Sequence, residues 1–191
     1  MVRIVFGSIV AGLVQFIIGA LAWATPIRKL ALATLDDAHT AQIQSALASA
    51  LTATGSGTYF IPSSETAAGT VLLGTGPVAL IHFNTHGFPP MAPSSLLTGL
   101  ILSIFVMLLV GLAVQRLPDF SSRMRTAALF AVATVAYFAF SLPVYNFYMP
   151  WAWWVFLGIE EFIAFTLGAF VLIRWFMPAA SEQPQHPVRR L

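Results

Sequence analysis

Two adjacent carboxylates, Glu160 and Glu161, stand inside an apolar stretch that is long enough to cross a bilayer, Pro150 to Pro178, PWAWWVFLGIEEFIAFTLGAFVLIRWFMP. A carboxyl group turned toward lipid costs several kcal/mol, so each must face protein or a wet cavity and find donors there. The chemistry open to such a group is a proton relay, a cation site or a contact with a partner subunit. Neighbouring residues on a helix point about 100° apart, so the two cannot serve the same neighbour. Glu161 shares a face with Trp154, Gly158, Phe165 and Gly168, and those small residues suit close helix contact. It is therefore expected to be the buried member. Glu160 shares a face with Trp153, Leu157, Ala164 and Val171.

The depth of the pair follows from counting. A helix rises ~1.5 Å per residue, so a span entering near Ala152 carries the two glutamates ~12–14 Å down. Counting the same distance along the other apolar stretches reaches Gln15, Ser103 and Tyr137. One polar side chain from every span is thus expected at one level, an intramembrane layer of Glu160, Glu161, Gln15, Ser103 and Tyr137. No Lys or Arg falls at that depth. Neutral polar residues in spans usually just hold helices together, whereas intramembrane carboxylates are rare enough to suggest a role. The strip Ser8, Gly12, Gln15 and Gly19 offers span four a matching face on span one.

Other candidates are weaker. His82 and His86, with Met91, combine donor types that suit copper. However, His82 lies in a β-type run, where residues four apart sit roughly 13 Å from each other, so convergence requires the strand to end near Phe83. They read as interface histidines, and no metal site is expected. His39 falls on an exposed helix face and His186 in the tail. Gly74-Thr75-Gly76 reads as hairpin geometry. The chain has no G-x-S-x-G, H-E-x-x-H, P-loop or dinucleotide fingerprint. No enzymatic activity and no cofactor are expected.

The elements that position these residues begin with Ile4 to Ala24, IVFGSIVAGLVQFIIGALAWA. Its Ala22-Trp23-Ala24 end is like a signal-peptide cleavage site, but the run exceeds the usual h-region of about 7–15 residues and matches a full span. Residues 1–24 are read as an uncleaved first span. Residues 25–94 form a small helix-plus-hairpin domain. A helix capped by Asp36 or Thr34 runs to about Ala53, and Gly55-Ser56-Gly57 stops it. Thr58 to Ile61 and Pro77 to Phe83 are its two β-type runs, joined by a polar loop. At ~60 residues this domain is marginal for a core of its own and should rest on the membrane or the bundle. Three further spans cover 95–115, 126–146 and 152–175, and the tail 178–191 reads as disordered and cytoplasmic.

Composition agrees: 58% of the 191 residues are hydrophobic and only 8% are charged, against about 25% charged in soluble domains. The nine Lys and Arg lie at helix ends without interleaved exposed aromatics, which argues against a nucleic-acid surface. The absence of cysteine excludes disulfides and thiol nucleophiles. Arg116, Arg123 and Arg125 lie between spans two and three, Arg174, Arg189 and Arg190 follow span four, and Arg3 precedes span one. The positive-inside rule then puts both termini in the cytoplasm and residues 25–94 outside, against the dissent of Arg28 and Lys29. Tyr145, Tyr148, Trp151, Trp153 and Trp154 would form an aromatic belt at the outer interface.

The layout resembles a set of small uncharacterised bacterial membrane proteins. The matching features are a first span, a strand with Tyr59, Phe60 and Pro62, a strand with Gly76, Pro77 and Ala79, and three spans with an aromatic turn at Pro143, Tyr145 and Asn146 before an acidic fourth helix. The resemblance points to a bacterial cytoplasmic (inner) membrane and carries no activity with it. The expected fold class is a mainly α integral membrane protein, a four-helix bundle with a small extracytoplasmic α+β insertion. Its partners would be the lipid bilayer and another membrane protein or further copies of itself. The expected role is that of a non-enzymatic accessory or assembly component, the alternative being a small proton-coupled carrier using Glu160 or Glu161.

Overall fold

The computed structural model describes residues 1–146 and 148–177; the expected tail lies outside them. The chain order is α1 (Val2–Ala24), a 3-10 turn (Pro26–Leu30), α2 (Asp37–Leu51), β1 (Gly57–Ile61), α3 (Ala67–Thr75), β2 (Ala79–Phe83), α4 (Pro93–Val114), α5 (Phe120–Thr134), α6 (Ser141–Tyr145) and α7 (Trp151–Val171). A π-helical segment, Val135–Ala139, joins α5 to α6, and another, Leu172–Phe176, continues α7. Among the described residues, four helices are long and apolar enough to cross a membrane: Val2–Ala24, Pro93–Val114, Phe120–Tyr145 and Trp151–Phe176. The chain divides into two compact units, one holding these helices and the other residues 33–92 with Asn146–Met149.

In the membrane unit, α1 is central. It packs against α4 on one side and α7 on the other, while α5 packs chiefly on α7. The helices thus form an open row, α4–α1–α7–α5, whose two ends touch only lightly. Close approach depends on small residues, because lipid supplies no hydrophobic drive between helices. A Cβ on Gly12 would stand 2.5 Å from the Ile104 Cα, so α1 and α4 cross backbone to backbone there. The core collects at one end, where Ile4, Ala11, Met107, Val114, Ala127 and Leu172 are buried together. In the other half, Leu96, Leu97, Ile101 and Leu102 of α4 and Tyr137 and Phe138 of span three are exposed. The buried core is thus concentrated at the arginine-rich end.

The third span begins six residues before the expected Thr126. Asp119 caps it, its carboxylate accepting from the Ser122 backbone N–H at 2.9 Å and the Ser122 hydroxyl at 2.8 Å. Arg123 and Arg125 are therefore helical rather than in a loop, and Arg123 folds back to donate through Nε to the Leu117 carbonyl at 2.9 Å. The π-helical turn has a local cause. Pro143 has no N–H for the carbonyl four residues back and crowds it, and the helix widens just upstream, where the Phe140 N–H bonds to the Val135 carbonyl at 3.2 Å.

In the second unit, β1 and β2 pair antiparallel, Gly57 opposite Phe83 and Ile61 opposite Ala79. The expected hairpin is corrected here: the strands are joined by the helix α3, not by a polar loop, and Gly74 and Thr75 belong to that helix. Thr66 caps it by accepting from the Gly69 N–H at 3.0 Å. Gly69 obscured the helix in the sequence, yet it is what the packing requires, since a Cβ there would overlap the Ser63 carbonyl. Gly76 ends the helix with φ +66, a left-handed value that suits glycine.

Candidate functional site

The carboxylate pair lies where α1 and α7 pack antiparallel. Glu160, not Glu161, is the buried member: Glu160 is 8% exposed and Glu161 is open. Gly19 makes room for it, since a Cβ there would come 3.2 Å from Glu160 Oε1. Trp23 Nε1 donates to Glu160 Oε2 at 3.4 Å. The indole is held by Trp153 and Phe156, with ring centroids 4.9 and 5.0 Å away. Trp23 is a residue of this site that the sequence reading missed. Its signal was present, a donor-only side chain at a span end, but the Ala22-Trp23-Ala24 pattern drew attention to cleavage.

Depth counting erred by about one turn. Glu160 lies nine residues into α7 but opposite Gly19, only five from the end of α1, so α7 starts beyond the level where α1 stops. Gln15 consequently faces deeper, with its Cβ near Gly168 of α7. Its Oε1 is buried without a hydrogen-bond partner among the described residues, as is the Thr166 hydroxyl. Ser103 turns back on its own helix and donates to the Gly99 carbonyl at 3.0 Å. Tyr137 is 69% exposed, so its side chain does not turn inward to join the others. The expected five-residue layer is thus reduced to Glu160 with Trp23, and Gln15 about a turn away. The expected α1–α7 pairing is present, but the strip divides: Gly19 and Gln15 serve α7, while Ser8 and Gly12 serve α4.

Glu161 is placed differently. Its neighbours along the same side of α7, Gly158 and Gly168, are buried, with Gly158 against Phe140 and Val135 of span three and Gly168 against Met107 of α4. Glu161 is nevertheless exposed and has no hydrogen bond or ion pair with any described residue. It lies on the side of α7 between the contacts that Gly158 makes with span three and Gly168 makes with α4.

The aromatic set also divides. Tyr145 and Trp151 are exposed, Trp153 is half-buried against Trp23, and Trp154 is half-buried. Tyr148 packs on Phe60 within the second unit, centroids 5.0 Å apart. The strand carrying His82 does end at Phe83, but each histidine has its own partner: His82 Nδ1 lies 2.9 Å from the Thr58 hydroxyl and His86 Nδ1 3.0 Å from the Thr85 hydroxyl. Met91 is exposed. Among the described residues no three His, Cys, Asp or Glu converge as metal ligands. His39 pairs with the Asp36 carboxylate at 2.7 Å on the surface of α2. Comparison with family models, curated proteins and solved structures finds no match.

Proposed function

We propose that the chain is a non-enzymatic, multi-pass membrane protein that acts by association, an accessory or assembly component whose partner helix packs on the Glu161 side of α7. The observation that carries this reading is Glu161. An exposed carboxyl group on a spanning helix, without a donor among the described residues, calls for a partner that brings one. The partner contributes an amide, hydroxyl or basic side chain at that level. A second copy would bring a second carboxylate, so a different protein fits better than a homodimer. We place the protein in a bacterial cytoplasmic membrane with both termini inside and residues 25–94 outside. This rests on Arg3, Arg116, Arg123, Arg125 and Arg174 gathering at one end of the spans.

The test is co-purification from native membranes in mild detergent. Glu161→Ala should lower the yield of the associated protein about fivefold or more, a loss of at least roughly 1 kcal/mol. Glu161→Gln, which keeps an acceptor and the side-chain volume, should lose less. Full retention of the partner by both variants rules the reading out.

A second reading, a proton-coupled carrier, has one observation in its favour. Gln15 Oε1 is a buried acceptor without a partner among the described residues, about a turn from the Trp23–Glu160 pair, so a polar row runs along the α1–α7 seam. Under this reading Glu160→Gln abolishes a proton-linked flux in proteoliposomes, and unchanged flux in that variant ends it.

A further inference from the structure

The chain leaves α1 through a short 3-10 turn, Pro26–Leu30, that carries Arg28 and Lys29. The turn is well held. The Arg28 N–H donates to the Thr25 carbonyl at 3.3 Å, and the Arg28 carbonyl accepts from the N–H groups of Ala31 and Leu32 at 3.0 and 3.1 Å. The turn touches α7 as well as α1. Residues three apart eclipse in such a turn, so Ile27 and Leu30 form one ridge, with Arg28 on one side of it and Lys29 on the other. The ridge is bare: Ile27 is 54% exposed and Leu30 is 73% exposed. Both cations are exposed too, and neither has a hydrogen bond or ion pair with any described residue.

The length of α1 sets the level of this turn. Its 23 residues extend about 35 Å at ~1.5 Å per residue, against about 30 Å of hydrocarbon in a bilayer. A turn that starts two residues after Ala24 therefore lies among the headgroups when α1 spans. There an apolar ridge sinks toward the acyl chains, and Arg and Lys at its sides reach phosphate oxygens. The unpaired charge decides the kind of lipid. A zwitterionic surface offers the ridge the same burial but no net attraction for the cations, whereas an anionic surface adds about fivefold in affinity for each cation. We infer that the Pro26–Leu30 turn binds the headgroups of anionic phospholipids in the leaflet at the C-terminal end of α1. This gives a use to the two cations that run against the charge asymmetry of the other span ends. The inference rests on the reading of α1 as a spanning helix, but on neither its orientation nor the Glu161 contact.

The test uses the full chain in detergent with a single added cysteine, Leu32→Cys, bearing an environment-sensitive fluorophore just past the turn; the natural chain has no cysteine to compete. The probes are dioleoylphosphatidylglycerol, dioleoylphosphatidylcholine, inorganic phosphate and a soluble hexaglutamate peptide. Phosphatidylglycerol should shift the emission to the blue at concentrations about tenfold or more below those of phosphatidylcholine. Changing Arg28→Gln and Lys29→Gln together should raise the half-saturating concentration about twentyfold. The melting temperature of that variant should be unchanged, because neither side chain has a partner among the described residues. Equal response to the two lipids, a matching response to inorganic phosphate or to hexaglutamate, or a wild-type response in the double variant overturns the inference. Incorporation of the chain into lipid nanodiscs separates the two levels of failure. A chain that does not incorporate overturns the spanning reading and this inference with it, whereas a chain that incorporates but shows no preference for phosphatidylglycerol overturns this inference alone.

Discussion

Trp23 does two things with one ring. Its face packs against Trp153 and Phe156, and its N–H satisfies the buried Glu160. Trp23→Phe keeps the first and removes the second. It should cost about 1 kcal/mol, the usual net value of one hydrogen bond. A double-mutant cycle with Glu160→Gln, read by thermal unfolding in detergent, should show that the two changes are coupled; strict additivity would deny the bond. A second prediction concerns helix caps. The Ser122 backbone N–H, and then its hydroxyl, hold the Asp119 carboxyl below its ordinary range, and the His39 backbone N–H and ring do the same for Asp36. A depressed folded value means stability that is present above the unfolded value, about 4, and lost as pH falls through the folded one. Asp119→Asn should therefore flatten the dependence of melting temperature on pH below about 4, while an unchanged acid limb would show that the cap does not titrate. At this scale the sequence showed which residue types were costly but not their partners. Adjacent helical positions differ by about 100°, so a small error in which face turns inward exchanges Glu160 for Glu161.

The elements themselves were largely legible, because an apolar run of some 20 residues has few alternatives in lipid. What escaped were features decided by a single local group. Asp119 starts α5 in a polar segment that a hydrophobicity threshold excludes, and Thr66 starts α3 in a segment rich in Gly and Thr that read as loop. Both are N-cap residues, a signal that was available. The relative sliding of α1 and α7 was not available, because it depends on which small residues meet, not on where each run ends. Gly12 shows the strength of that control. Gly12→Val should drive apart the α1–α4 crossing at Ile104 and cost about 1–3 kcal/mol as an overpacked contact. Denaturant unfolding in micelles measures it, and wild-type stability in this variant would mean that the helices can slide apart freely.

For the whole molecule, the informative fact is that the four spans form an open row whose buried core is concentrated at one end. That end gathers arginine, and Glu161 is exposed in the other half. The topology proposed above is readily tested because the chain has no cysteine. A membrane-impermeant thiol reagent applied to intact cells should label a cysteine placed at Ser45 of α2 and spare one placed at Ser121 of α5. The reverse pattern would invert the orientation. The association itself is tested most directly by a photo-crosslinking amino acid at Trp154, on the Glu161 side of α7, compared with one at Ile159, on the exposed opposite side. The account predicts a discrete protein adduct in native membranes from position 154, much reduced when Glu161→Ala is added, and only lipid adducts from position 159. Lipid adducts alone from both positions would contradict it.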